Sequence, residues 1–107
     1  MPHYLIQVAY TPEAWATLVK KPQNRIDAVR PVVEQAGGKI EAAYLAFGKY
    51  DVVVMVDMPD NVSAAAFAID VSAGGAVKAI RTTPLMTWEE GIAAMKKAGQ
   101  ISYKPPS

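Results

Sequence analysis

Val52-Val53-Val54-Met55-Val56 is a run of five apolar, mostly β-branched residues with no polar residue at alternate positions. A strand with one wet face alternates apolar and polar side chains, so this pattern predicts a strand covered on both sides. Asp51 to Met58 frames it, and Pro59-Asp60-Asn61 ends it. Upstream, Lys39 to Phe47 reads as a second strand, joined to this one by the tight connection Gly48-Lys49-Tyr50, a hairpin signal. Further out, Tyr4-Leu5-Ile6-Gln7-Val8-Ala9-Tyr10 is short, aromatic and β-branched, and Ala76 to Thr83 has similar character, followed by an extended Pro84 to Met86.

Helices occupy the intervals. Thr11-Pro12 offers a capping hydroxyl and a first-position proline, opening a helix that Lys20-Lys21-Pro22 interrupts. Ile26, Val29, Val33 and Ala36 resume an apolar stripe until Gly37-Gly38 stops it. Pro31 removes the bond to the Asp27 carbonyl, which predicts a kink or a split there. Val62 to Ala73 is a helix apolar nearly all round, implying contact on more than one side, and Gly74-Gly75 closes it. Thr87-Trp88-Glu89-Glu90 is a capping box opening a last helix, with Lys96 and Lys97 near its end and Trp88, Ile92 and Met95 as its expected inner stripe.

The order β-α-β-β-α-β plus a terminal helix predicts an α+β, ferredoxin-like antiparallel sheet with both principal helices on one face. The other face needs a cover, and a second copy of the chain, forming a dimeric α/β barrel or a larger homo-oligomer, supplies it. Residues 1–98 are expected to form one domain and 99–107, with Pro105-Pro106, a tail.

Composition narrows the functions. A chain of 107 residues with 51% apolar residues suits one domain with a modest core. Eleven Lys and Arg against ten Asp and Glu give a net charge of +1, with no basic run beyond two lysines. Neither nucleic acid nor a membrane surface is therefore the expected partner. The absence of cysteine excludes disulfides, thiolate catalysis and Cys-ligated clusters, and one histidine makes a zinc site an unpromising reading. No cofactor or metal is expected. The N-terminus enters a strand without a signal-peptide pattern, so a cytoplasmic location is the default.

Ala46-Phe47-Gly48-Lys49-Tyr50-Asp51-Val52-Val53, followed by Pro59-Asp60, Gly74-Gly75-Ala76-Val77 and Arg81-Thr82-Thr83, resembles the GYD domain family over roughly Tyr4 to Ala98. The resemblance implies a small bacterial or archaeal protein of the dimeric α/β-barrel type, and it transfers no catalytic residue.

Candidate chemistry rests on few residues. Tyr50 and Asp51 could donate to and orient a ligand, or act in proton transfer; equally, Gly48 could supply a turn conformation, Asp51 accept backbone N–H groups and Tyr50 pack across the hairpin. His3 is a candidate proton shuttle, or a satisfied terminal histidine. Arg81 could anchor a carboxylate or phosphate, or, if it points into a buried face, pair with Asp51 or Asp57. Tyr4, Tyr10, Trp15, Tyr44, Phe47 and Met55 would line a cavity or fill the core, with Tyr44 carried as a ligand candidate. The leading reading is a homo-oligomeric binder of a small organic ligand held in a cavity at the sheet-to-sheet interface. The alternatives are a cofactor-independent oxygenase or isomerase, and a structural or regulatory assembly subunit.

Overall fold

The computed structural model describes residues 1–107. Its sheet contains β1 (His3–Tyr10), β2 (Lys39–Leu45), β3 (Val52–Asp57) and β4 (Val77–Leu85), in the order β2-β3-β1-β4, and every neighbouring pair is antiparallel. The helices are α1 (Pro12–Lys20), α2 (Ile26–Gln35), α3 (Asn61–Ala73) and α4 (Trp88–Ala98). This is the ferredoxin-like arrangement expected from the sequence.

Directly opposed residues of antiparallel strands share a face, so register sorts the sheet. Tyr4, Ile6 and Val8 oppose Val56, Val54 and Val52, and Ile40 opposes Val56. These side chains meet Val33 of α2 and Ala64 and Phe67 of α3 in the buried core. His3, Leu5 and Gln7 oppose Asp57, Met55 and Val53 on the second face, where β4 adds Leu85, Thr83 and Arg81. The core cluster draws no residue from that face, so the two-sided apolar pattern of β3 is buried on one side within the chain.

The helix ends are local chemistry. Thr11 Oγ1 accepts from the Ala14 N–H at 3.1 Å, and Asp60 Oδ1 accepts from the Ser63 N–H at 2.8 Å. Thr87 and Glu90 cap one another reciprocally, at 3.1 and 2.9 Å. Gly37 ends α2 with φ +85°, which an L side chain rarely adopts.

Three expectations change. Pro31 neither splits nor ends α2; the break lies at 21–25, and Pro31 stands on the exposed side of a continuous helix, where water can solvate the Asp27 carbonyl it leaves free. α3 buries Ala64 and Phe67 but leaves Val62 and Ile69 exposed, so within the chain it is packed on one side. The stripe on α4 does not face inward: Trp88 is 79% exposed and Met95 62%. The physical reason is that α4, which follows the end of β4, buries no residue and has no extensive packing against another element of the chain. The radius of gyration is correspondingly 17.1 Å, against about 13 Å for a compact domain of this length.

Candidate functional site

α2 closes on the sheet through Val33, whereas α1 buries no residue. They splay at the 21–25 break and leave a cleft of about 1170 Å³ between helices and strands, walled largely by apolar residues that include Ile6, Val8, Val29 and Phe67. Ligand sites of this size are commonly apolar with a few convergent polar groups. Here those groups sit where β1 ends and α1 and α2 begin: Tyr10, Trp15 and Arg25 are all on the wall.

Asp51 builds that corner. Its Oδ2 accepts the Tyr10 backbone N–H at 2.9 Å and the Trp15 indole N–H at 3.2 Å. Its own N–H donates to the Val8 carbonyl at 2.7 Å, and its carbonyl accepts from Ala46 at 2.7 Å. The carboxylate thus fastens β1 and α1 to the start of β3 and sets Trp15 edge-on to Tyr10, with ring centroids 5.4 Å apart. Burial pushes the Tyr10 phenol above its ordinary pKa; the adjacent Arg25 guanidinium pulls against that, and the Asp51 charge adds to it.

A second group of polar residues lies at the opposite end of the sheet. His3 donates through Nδ1 to Asp57 Oδ1, as their register on neighbouring strands allows, leaving Nε2 as the free ring position. They border a shallow depression of about 300 Å³ with Glu41, Met55, Leu85 and Met86. An imidazole so oriented can take a proton at Nε2. Burial pushes the Asp57 carboxyl up, but its contacts with Glu41 and His3 outweigh that and hold it below the usual value. A carboxyl depressed on folding contributes stability that is present above its unfolded pKa, about 3.9, and lost as pH falls through the lower folded value. Asp57→Asn is therefore expected to flatten the loss of stability as the pH falls below about 4. Urea midpoints across that range check this; an unchanged slope would remove Asp57 from acid unfolding.

The expected site residues are thus dispersed. His3 and Asp51 lie at opposite ends of the sheet, since His3 opposes Asp57 and Val8 opposes Val52. Tyr44 borders the cleft on the edge strand β2, but its register with Val53 assigns its side chain to the second face, and Tyr50, Asp51 and Arg81 are not among the cleft's lining residues. Tyr50 sits under Lys49, whose Nζ is 6.0 Å from the ring centre. Arg81 opposes Gln7 on the uncovered face, exposed and without an ion pair to Asp51 or Asp57. Tyr4 is core, and Phe47 is fully exposed. Gly48 is not in the left-handed region, so the turn does not require glycine on that ground. Arg25 was not legible as a site residue: nothing in Gln23-Asn24-Arg25 marks it before the helix break brings it to Tyr10. The His3–Asp57 pair did have a signal, because adjacent antiparallel strands set the start of one against the end of the other.

No helix is long and apolar enough to cross a membrane. The family model described as GYD domain matches residues 4–95. Among solved structures, the chain is similar to FFRP-DM1, with TM-score 0.51 and 15% identity over 80% of this chain and 100% of that one. It is similar to MtbAldR, with TM-score 0.58 and 16% identity over 80% of this chain and 53% of that one. A hypothetical protein from Pyrococcus horikoshii matches with TM-score 0.52 and 14% identity, over 81% and 92% of the two chains. At such identities these likenesses bear on fold alone. Curated proteins provide no match.

Proposed function

The chain belongs to the GYD domain family, and from that premise we propose that it is a cytoplasmic homo-oligomer that binds a small organic ligand in the cleft between its helices and its sheet. The single observation carrying the ligand reading is that cleft, an apolar wall with Tyr10, Trp15 and Arg25 at one corner, which moves the proposed site from the sheet-to-sheet cavity expected from the sequence to the helix side of the sheet. Self-association is supported by the second face of the sheet. Leu5, Met55, Tyr44 and Leu85 lie there with no helix packed over them, Tyr44 being 69% exposed. Apolar surface of this kind is usually covered by another chain.

The alternative of proton transfer without a cofactor draws support from the orientation of His3 by Asp57. It draws none from Asp51, whose Oδ2 already accepts two N–H groups.

Native mass spectrometry of the full chain, purified gently, tests both parts at once. The expected result is a dimer or larger homo-oligomer carrying a reproducible small extra mass. Met55→Lys would place an unpaired charge in the middle of the sheet contact, and it should shift the protein to a species of 11.5 kDa. A wild-type monomer of that mass would overturn self-association. A variant that stays assembled would move the contact to another surface.

A further inference from the structure

We propose that the cleft selects an amphipathic monoanion, a carboxylic acid whose head group is held by Arg25 and whose apolar body lies along the half-buried Leu18, Ile26, Val29 and Val71. This rests on the ligand-binding reading above and adds the chemistry of the head group.

The argument starts from which donors and acceptors are already engaged. Trp15 has given its indole N–H to Asp51, so it presents only its ring. Asn24 Oδ1 is occupied by the Ile26 N–H at 2.9 Å. Arg25 is different. Its Nη1 donates to Gln23 Oε1 at 3.2 Å, a neutral partner, and no carboxylate lies within ion-pair distance of it. A guanidinium carries five N–H donors in a planar fork that matches a carboxylate.

The remaining charges on the wall do not change this. Glu41 faces Lys39, 3.7 Å away, Asp70 lies on α3, and Arg30, five residues further along than Arg25, is turned about 140° around the helix from it, so the two guanidiniums do not converge on one head group. Of the four, Arg25 is the one beside the phenol of Tyr10. That phenol lines the same cleft and is a second donor available to the head group. One cation and one phenol at the edge of an apolar cleft suit one negative charge. A dianion such as a phosphate would want a second cation beside the first, and a neutral alcohol would forgo the charge-assisted pair that a carboxylate makes with the fork.

Two matched pairs of probes test it: octanoate against 1-octanol, and 3-phenylpropionate against 3-phenylpropanol. The reporter is Trp15 fluorescence in a Trp88→Phe background, because Trp88 lies on α4, outside the cleft wall. At least one acid is expected to bind roughly tenfold more tightly than its alcohol, as a charge-assisted hydrogen-bonded pair requires. Arg25→Gln should erase that preference while leaving alcohol binding unchanged, and Arg25→Lys should retain only part of it. Arg25 is exposed, so these variants are expected to fold, and circular dichroism checks that they do. Equal binding of acid and alcohol, or a preference that survives Arg25→Gln, overturns the head-group inference and leaves the cleft as a neutral apolar site. No binding of any of the four probes, by fluorescence and by calorimetry, overturns both this inference and the cleft reading beneath it.

Discussion

Asp51→Ala is expected to lower the melting temperature by roughly 15 °C, from a loss of about 3 kcal/mol in a domain of this size. The substitution removes one oxygen that accepts two hydrogen bonds, from the Tyr10 backbone N–H and the Trp15 indole N–H. Both donors are then left without a partner in a partly buried corner, and an unmade bond costs more than a made one contributes. Asp51→Asn keeps an acceptor oxygen and loses only the charge, so it should cost about half as much. Trp15→Phe removes one donor together with its half of the interaction, and the double variant with Asp51→Ala should cost clearly less than the sum of the two. Thermal unfolding followed by circular dichroism, at one protein concentration throughout, checks this series. An Asp51→Ala protein melting within about 2 °C of the parent would show that the carboxylate fastens nothing.

The second large effect is expected at Gly38. Its φ is not in the left-handed region, so the demand for glycine is one of space. A Cβ there would lie 2.5 Å from the Met58 sulfur, 2.6 Å from the Asp57 carbonyl oxygen and 3.2 Å from Val33 Cγ1. Methionine can swing aside, but the carbonyl belongs to the chain where β3 ends beside the start of β2, and Val33 and Met58 are fully buried. Gly38→Ala should therefore cost about 3 kcal/mol and lower the melting temperature by 10–20 °C, at the upper end of overpacking effects. Gly48→Ala is the control. A Cβ at Gly48 meets nothing within 4 Å and its φ is ordinary, so the glycine for which the family motif is partly named should tolerate alanine with little change. If Gly38→Ala is as silent as Gly48→Ala, the close approach of α2, β2 and β3 is not a constraint on the fold.

These residues also indicate what could be read before the structure was known. Val52 to Val56 located a central strand, because an apolar run of that length bounded by Asp51 and Pro59 has few other solutions. Thr87 and Glu90 located the start of α4, since a capping box is a purely local device. The direction α4 takes was not legible. An amphipathic stripe says that a helix has an apolar side, but not that any partner lies within the same chain, and Trp88 and Met95 point to solvent. The site was harder still. Asp51 could be read as an acceptor of N–H groups, yet its donors stand 41 and 36 residues away, and no local pattern encodes such a pairing. Arg25 acquires its place only through the break between α1 and α2, whose geometry depends on how each helix meets the sheet.

The strand order has a mechanical consequence. His3 opposes Leu85, so the start of β1 and the end of β4 lie side by side at one end of the sheet. Tension applied through the two ends of the chain would pull these neighbouring strands apart sideways, along their hydrogen bonds, and load those bonds one after another as a zipper is loaded. Pulled from α1 and α4, the same two strands would instead be dragged past one another, sharing the load over the whole ladder. A single sheet thus gives easily to a tug at its termini and resists one applied across its length.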